Sequence, residues 1–250
     1  MRILIYGINY APDEIGIPKY TSEMAEWFAA RGHEIRVITA PPYYPAWRIP
    51  PNYSGFQWRT DSLMGVRVTR CPIYVPAKQT GIRRLFHLLS FTGTSFAPAL
   101  WIGCAWRPDV VIGIAPALTS APIGWLCARL GGAKAWLHIQ DFELDASYEM
   151  GLLSGGLAKR IAEAIERWIL KRFDRVSTIS PSMIRRLGNK GVSPEAVREL
   201  RNWVDLNTIK PTTEKSPFRE EWDIGPDDIV CLYCGGMGEE QGRGGGAGAG

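Results

Sequence analysis

The chain has 250 residues, of which 46% are hydrophobic and 22% are charged. This composition argues against an intrinsically disordered chain and suffices for a buried core. The cysteines are scattered and odd in number, which argues against a disulfide framework and favours a reducing, cytoplasmic location. The net charge is +4, but Asp61 is the only acid between Glu34 and Asp109. We expect this basic stretch to meet a phosphorylated substrate, anionic lipid or nucleic acid, or to form a solvated face.

The first predicted elements follow the β–loop–α–β order of a nucleotide-binding half-unit. A short apolar run closed by glycine predicts a buried strand over Arg2–Gly7, and no signal peptide is recognisable there. A loop with proline and glycine follows over Ile8–Pro18. Apolar residues at helical spacing then predict a helix over Lys19–Ala30, and Ile35–Thr39 is expected to be the next buried strand.

Further along the chain, predicted strands continue to alternate with predicted helices, which is typical of a doubly wound parallel sheet. The predicted segments are a loop over Ala40–Ser62, a strand over Val66–Arg70, a helix in the first part of Thr80–Trp106, a strand over Asp109–Ile114, a helix over Thr119–Leu130, a strand over Ala133–Ile139, an amphipathic helix over Ser154–Arg172, a strand over Arg175–Ile179, a helix over Pro181–Leu187 and a short strand over Glu199–Val204. The expected fold class is therefore α/β with a Rossmann-like sheet, and ligands are expected at the carboxyl ends of its strands.

The expected domain organisation changes after residue 209. Residues 1–209 should form the Rossmann-like domain, and the polar, proline-containing segment 210–228 a linker. An apolar run and a glycine loop over 229–242 predict the first strand of a second domain, where Cys231 and Cys234 should be fillers of a buried strand and not zinc ligands. Residues 243–250 form a low-complexity tail, so we expect the second domain to be truncated.

A basic and then apolar pattern begins at Arg83. Arg83 and Arg84 precede Phe86 and other large apolar residues, and the segment Leu85–Trp106 contains no charged residue. Proline, glycine, threonine and serine interrupt this segment, so we do not expect it to span a membrane. The pattern fits a helix on a membrane surface, with Arg83, Arg84 and Phe86 facing the lipid, and it fits a buried core helix equally well.

The loop before the first helix is a candidate phosphate-binding site. Gly16 lies close to the expected helix N-terminus, where backbone amides and the helix dipole favour an anion. Lys19 would add a positive charge. The loop has neither a G-x-G-x-x-G pattern nor a P-loop, so Gly16 also fits an ordinary turn glycine.

A polar cluster follows the predicted strand that ends at Ile139. It consists of His138, Gln140, Asp141, Glu143 and Asp145. His138 and Asp141 are candidates for orienting a hydroxyl nucleophile, and the alternative is a polar strand end with an N-capping carboxylate. Ser180 is expected at the same edge of the sheet. No H-E-x-x-H or Asp-x-Asp motif is present, so neither a protein-bound metal nor a cofactor is predicted.

Several segments, in this order along the chain, resemble the family-four, GT-B-type glycosyltransferases. They are most similar to the branch that acts in colanic acid and exopolysaccharide synthesis. The segments that carry the resemblance are Ile3–Pro12, Gly16, Lys19–Thr21, Ala29–Thr39, Ala40–Pro45, Leu137–Glu143, Ser177–Ser182, Asn202–Asp205 and Tyr233–Gly242. Their common order makes the match more specific than any single segment would.

The resemblance implies the N-terminal half of a GT-B fold and a retaining, metal-independent sugar transfer. The donor would be a nucleoside-diphosphate sugar, and the acceptor a saccharide on polyprenyl diphosphate. His138 and Asp141 would lie beside the reacting carbon and hydroxyl. The other implied binding residues are Gly16, Lys19, Tyr20, Ser180 and Asn202. The protein would be cytoplasmic and peripheral to the anionic inner membrane, with no nucleic acid partner.

Two departures from the family pattern affect this interpretation. The family commonly has glycine where this chain has Pro18, which removes one amide donor from the loop. The donor-binding half is expected to be missing, so we expect the chain alone to be inactive. The alternatives are an NAD-dependent Rossmann enzyme, which should have G-x-G-x-x-G after its first strand, and a non-catalytic membrane-surface or interaction module.

Overall fold

The computed structural model describes residues 1–78, 80–115, 118–142, 156–211, 214, 216–225 and 227–231. They belong to a compact unit over Met1–Asn202 and a second unit that begins at Trp203. Within the first unit, the described strands form one eight-stranded sheet in the order β3-β4-β2-β1-β5-β6-β7-β8. The strands are β1 (Arg2–Tyr6), β2 (Glu34–Thr39), β3 (Arg59–Leu63), β4 (Val66–Arg70), β5 (Val110–Ala115), β6 (Lys134–Ile139), β7 (Arg175–Thr178) and β8 (Val197–Glu199).

Helices alternate with these strands, as the sequence pattern predicts. The described helices of the first unit are α1 (Ile17–Ala30), α2 (Gly81–Trp101), α3 (Ala121–Gly131), α4 (Gly156–Leu170) and α5 (Pro181–Asn189). Every neighbouring pair of strands is parallel except β3 and β4. The prediction of a doubly wound, Rossmann-like α/β sheet is therefore confirmed.

The central strands are continuous apolar runs because both faces of the sheet are covered. Leu4 and Ile5 of β1 point to opposite faces, and both are fully buried. The strand order reverses between β1 and β5, since the chain first builds outward through β2 and β4 and then returns to the other side of β1. A crevice at the carboxyl edge beside such a reversal is the usual ligand site of a doubly wound sheet.

The segment Ala40–Ser62, which was predicted to be a loop throughout, ends in a strand. Residues Arg59–Leu63 form β3, which pairs with β4 in an antiparallel hairpin. Met64 and Gly65 connect the two strands, both with positive φ (49° and 78°), as a tight hairpin requires. The sequence signal was weak because β3 lies at the sheet edge and is mostly exposed, so it lacks the apolar alternation of a half-buried strand.

Helix α2 continues further than the apolar pattern suggested, and it does so through a proline. Pro98 has no N–H to donate to the carbonyl oxygen of Thr94. The indole Nε1 of Trp58 donates to that oxygen instead, at 3.0 Å. After α2, a wider π-helical turn over Ile102–Trp106 ends at Arg107, which has a φ of 53°. A side chain from the loop before β3 therefore replaces the hydrogen bond that proline removes.

Two further elements differ from expectation near the end of the first unit. The last strand is Val197–Glu199 and not Glu199–Val204, because this edge strand is short and pairs only with β7. Helix α4 lies within the predicted range, but its apolar side chains Leu157, Ile161 and Ile165 are more than half exposed. In contrast, Glu166 on the same helix is buried and bound by the Lys190 Nζ at 2.6 Å.

The second unit contains one short described helix, α6 (Phe218–Glu221), within the segment expected to be a linker. The Arg219 guanidinium donates to the carbonyl oxygens of Gly225 and Asp228, which closes a small local turn. Residues 229–231 are exposed and outside any strand, including Cys231, which was expected to be a buried filler. The rest of the predicted strand and glycine loop, with Cys234, and the tail over 243–250 lie outside the described residues.

Candidate functional site

Parallel pairing brings the ends of four neighbouring strands together at the carboxyl edge of the sheet. Tyr6 pairs with Gly113, so the next residue of each strand, Gly7 and Ile114, also come close. A Cβ atom on Gly7 would lie 2.9 Å from that of Ile114, which explains the glycine. Ile114 pairs with His138, and His138 pairs with a serine of β7. Since adjacent strands lie about 4.8 Å apart, β1 and His138 are separated by about 10 Å.

His138 is buried at this edge and hydrogen-bonded on one side. Its Nδ1 lies 2.9 Å from the Oγ of Ser177, which also accepts a hydrogen bond from the Trp136 Nε1 at 2.8 Å. Burial lowers the pKa of His138 to about 4, so the imidazole is neutral near pH 7. A neutral, fixed imidazole can accept a proton or orient a hydroxyl group. Ser177 was not among the predicted site residues, although it lies within a segment that resembles the family.

The residues after β6 divide into a buried and an exposed part. Gln140 is 5% exposed, and its backbone N–H donates to the carbonyl oxygen of Ala115 at 3.4 Å. Asp141 is exposed, directly beyond the carboxyl edge. The structure therefore places His138 and Asp141 at the same end of β6. Glu143 and Asp145, the other members of the predicted cluster, lie outside the described residues.

Gly16 lies at the N-terminus of α1 with a backbone conformation that favours glycine. Its φ is 74° and its ψ is −128°, and no atom stands within 4 Å of the position a Cβ would take. The helix begins earlier than predicted, at Ile17, because Pro18 is tolerated in a first helical turn, where the missing N–H is not needed. Gly16 thus exposes the N-terminal end of α1, as an anion site requires.

The side chains that were expected to join Gly16 have local partners. Lys19 forms an ion pair with Glu23 at 3.9 Å, one helical turn away, and its Nζ lies 5.8 Å from the ring centre of Tyr20. Both Lys19 and Tyr20 are half-buried on the first turn of α1. Ser22 of α1 binds the loop, since its Oγ accepts a hydrogen bond from the Ala11 N–H at 2.9 Å. The loop is therefore held by the helix that it precedes.

Arg70, which was not predicted as a site residue, connects the loops at this edge. Its side chain is 3% exposed and donates to the carbonyl oxygens of Ala11 at 2.6 Å and Ala40 at 3.2 Å. Asp61 lies 3.7 Å from its Nε. Beside it, Asp13 accepts hydrogen bonds from the backbone of the loop after β2, and burial raises the pKa of that carboxyl group. One buried guanidinium thus joins the loops after β1 and β2.

Ser180 and Asn202 differ in how they are held. Ser180 caps the N-terminus of α5, since its Oγ accepts the N–H of Met183 at 3.3 Å. It also lies 3.0 Å from the Oγ of Ser182. Capping therefore accounts for Ser180 without a ligand. Asn202 is exposed at the end of the first unit.

Arg83, Arg84 and Phe86 lie on the first turns of α2. Arg83 and Phe86 are exposed, and Arg84 is half-buried. The opposite face of the helix is buried, through His87, Phe91, Ser95 and Ala99. By length and composition, the helical stretch Gly81–Trp106 could cross a membrane, but this buried face packs on the domain. The core-helix interpretation is thus confirmed for the buried face of α2, and the membrane-surface interpretation of its exposed face stays a prediction.

Three cavities among the described residues are lined by residues other than the predicted site residues. One, of about 240 Å³, lies between Arg59, Arg70 and the loop after β2. Another, of about 280 Å³, lies between α4 and α5. The third lies beside the C-terminal half of α2. Gly16, His138 and Asp141 lie at the same edge of the sheet, and their shared role in a site stays a prediction. Within the same residues, no group of three or more His, Cys, Asp or Glu side chains is placed to hold a metal ion.

The sequence profile of the glycosyl transferase 4-like domain matches residues 16–203, which include all of the edge except β1 and part of its loop. The chain belongs to this family. A relative of Escherichia coli (strain K12), named as the colanic acid biosynthesis glycosyl transferase WcaI, is 44% identical over 247 residues. That match covers 97% of this chain but 60% of the relative, so the chain spans less than two thirds of its length.

Solved structures show the same fold over about half of their length. Sucrose-phosphate synthase from Thermosynechococcus elongatus has a TM-score of 0.61 at 15% identity, covering 90% of this chain and 53% of its own. Anabaena HepE in complex with UDP-glucose has a TM-score of 0.50 at 14% identity, covering 89% and 50%. The first unit is therefore one half of a GT-B fold, as the motif resemblance implies.

Proposed function

We propose that this chain forms the acceptor-side half of a glycosyltransferase of exopolysaccharide synthesis. The observation that carries the proposal is His138, a buried neutral imidazole held by Ser177 at the carboxyl edge of a GT-B half. Membership of the glycosyl transferase 4-like family and the likeness to a colanic acid transferase support the same reaction class. The acceptor would be a saccharide on a lipid diphosphate at the cytoplasmic face of the inner membrane.

The proposed reaction is a transfer with retention of configuration. The bond between the sugar C1 and the diphosphate oxygen breaks, the acceptor oxygen bonds to C1 on the same face, and the acceptor proton passes to the leaving phosphate. Neutral His138 would orient the acceptor hydroxyl through its Nε2, because its Nδ1 is held by Ser177. Asp141, exposed at the end of the same strand, would bind a sugar hydroxyl.

The donor diphosphate would lie against the N-terminus of α1. Gly16 leaves open space at that terminus, since no atom lies within 4 Å of the position of a Cβ. Backbone N–H groups and the helix dipole would offset part of the charge that develops on the leaving diphosphate. Lys19 would contribute only after leaving its ion pair with Glu23, which at 3.9 Å and high exposure is weak.

A chimera tests this function. Residues 1–231 are joined to the part of WcaI that follows the position aligned with residue 231, and the chimera is produced in Escherichia coli that lacks WcaI. We expect exopolysaccharide synthesis to return, and His138→Ala to reduce transfer of labelled sugar to membrane lipid by about 100-fold or more. Because the chain spans 60% of the relative, the 250-residue chain alone should give no transfer.

The control is His33→Ala, at the start of β2 and far from the carboxyl edge. Circular dichroism of each chimera separates loss of folding from loss of chemistry. A folded chimera that transfers sugar equally well with alanine at position 138 would contradict the role of His138. Sugar transfer by the 250-residue chain alone would contradict the division into acceptor and donor halves.

A further inference from the structure

A groove of about 540 Å³ lies between the C-terminal half of α2 and the neighbouring face of β2, β4 and β3. One wall is apolar and consists of Trp58, Pro98 and Trp101. The floor is polar and carries Arg36 of β2 and Arg67 of β4, with two threonine side chains beside them. The groove therefore combines large aromatic surfaces with two cations, which neither a core cavity nor an ordinary surface cleft requires.

Trp58, in the apolar wall of the groove, is held by a hydrogen bond to α2 near Pro98. The indole Nε1 donates to the carbonyl oxygen of Thr94, which Pro98 leaves without its helical partner. Trp58 is nevertheless 58% exposed, and Trp101 is 70% exposed. Indoles with a hydrogen-bonded end and an apolar face in solvent are typical of surfaces at a lipid–water boundary.

The charge of the floor is not balanced within the groove. Arg67 is exposed and makes no hydrogen bond or ion pair with the described part of the chain. Arg36 is stacked over the Trp106 ring at 4.4 Å, and its one acidic neighbour, Glu34, lies 3.6 Å away. Burial is the main cause that lowers the pKa of Arg36, and the nearby charge of Arg67 lowers it further. An anion in the groove would relieve this repulsion.

The groove is continuous with an exposed apolar stripe along α2. Residues at helical spacing on the outer face are exposed, and they are Ile82, Leu85, Phe86, Leu89 and Phe96. No acidic residue occurs over the helix. Because α2 leads from the end of β4 back to the start of β5, it connects the carboxyl edge to the amino edge over about 30 Å. Arg83 lies at one end of the stripe and the groove at the other.

We propose that the groove binds the phosphate headgroup of an anionic phospholipid while the stripe of α2 lies in the bilayer surface. The bilayer would meet positive charge at both ends of the helix and apolar side chains between them, which is the pattern of a surface-bound amphipathic helix. An uncharged partner would bury the Arg67 guanidinium without a counter-charge. A symmetric contact with a second copy would place like charges together. The proposal deepens the membrane location in the proposed function and rests on it.

Vesicle co-sedimentation of the 250-residue chain tests the groove. One set of vesicles contains phosphatidylglycerol in phosphatidylcholine, and the other contains phosphatidylcholine alone. We expect stronger binding to the anionic set. Arg67→Gln should lower the partition coefficient for the anionic vesicles by about fivefold, since one basic side chain near an anionic surface contributes about that factor. Its effect on the neutral vesicles should be small.

Arg185→Gln is the matched control, because Arg185 is an exposed arginine on α5, away from α2. Equal losses of vesicle binding for the two variants would contradict the groove proposal, since each variant would then act only through net charge. Equal binding of the unchanged chain to both kinds of vesicle would also overturn it. Dimerisation in sedimentation velocity that Arg67→Gln abolishes would assign the groove to a second copy instead.

A further variant separates the groove from the membrane location itself. Phe86→Glu combined with Leu89→Glu changes the stripe and leaves the groove intact. If this variant loses binding while Arg67→Gln binds normally, the groove proposal fails and the membrane-facing helix remains. The sugar-transfer assay of the chimera is independent of both, because a loss of transfer with unchanged vesicle binding concerns the reaction alone.

Discussion

The carboxyl edge of the sheet and the groove beside α2 carry polar groups in opposite ways. At the carboxyl edge, Arg70 and His138 are buried and each has a hydrogen-bond partner within the domain. In the groove, Arg67 and Trp101 are exposed, and Arg67 has no partner in the described chain. Buried, bonded groups hold a fixed geometry, whereas exposed and unpaired ones remain free to meet another surface.

This difference matches the two proposed roles, which are chemistry at the carboxyl edge and contact at the groove beside α2. Preorganised groups are useful where a reaction needs fixed positions, and removing one should disturb folding as well as activity. Groups at a contact surface should have small effects on folding and larger effects on binding. The comparison can therefore be tested by the free energy of unfolding alone, without knowledge of the sugar.

The largest effect is expected at Arg70. Arg70→Met should lower the free energy of unfolding by 3–5 kcal/mol, because it leaves the carbonyl oxygens of Ala11 and Ala40 and the carboxylate of Asp61 without the buried cation. Urea denaturation measures this loss. Arg59→Met is the control, since Arg59 also pairs with Asp61 but is 57% exposed, and it should cost about 0.5 kcal/mol. Equal losses would remove the distinction between the buried and exposed arginines.

The next effect is a dependence on pH through His138. Its pKa is about 4 in the folded chain and 6.5 when unperturbed, so between these values the unfolded chain binds a proton that the folded chain does not. Unfolding free energy should therefore fall as the pH falls, by about 2 kcal/mol from pH 7 to pH 5 for this residue. His138→Asn should remove that part of the dependence in urea titrations at both pH values.

His87 keeps its own contribution in that variant, because burial lowers its pKa as well. Its Nδ1 lies 2.6 Å from the carbonyl oxygen of Tyr74, and its ring packs on Tyr43 and Trp47. His33→Asn is the control for the substitution itself. If His138→Asn has the same pH dependence as the unchanged chain, His138 is not a buried neutral group.

A smaller effect is expected at Gly16. Gly16→Ala should cost 1–2 kcal/mol of unfolding free energy, because φ is 74° and the surrounding space is open, so the cost comes from the backbone alone. Gly81→Ala, at the start of α2 in equally open space and without a positive φ, should be neutral or slightly stabilising. Thermal denaturation of both variants gives the comparison. A neutral Gly16→Ala would mean that the loop relaxes freely.

The smallest effect belongs to the groove beside α2. Trp58→Phe should cost about 1 kcal/mol, since it removes the hydrogen bond to the carbonyl oxygen of Thr94. In the background of Pro98→Ala the restored helical N–H can bond that oxygen, so Trp58→Phe should then cost less. A double-mutant cycle in urea measures the difference. Strict additivity would show that Trp58 does not compensate for the proline.

The order of the central strands and helices was determined by the sequence alone. Buried parallel strands are continuous apolar runs, whereas amphipathic helices have apolar residues at helical spacing. The motifs also placed His138 at a strand end and indicated the family. Element ends were less accurate. β3 has no apolar alternation, and α2 continues beyond Pro98, where Trp58, 40 positions earlier, supplies a hydrogen bond to the helix.

The tertiary structure alone decided which of these residues act together. Ser177 meets His138 only because β6 and β7 pair in one register, and Arg70 reaches the loops after β1 and β2 only because β4 lies beside β2. The groove between α2 and β4 likewise unites side chains from four elements. Such contacts depend on pairing between distant segments, which local periodicity does not encode, since it reports the environment of each segment and not its neighbours.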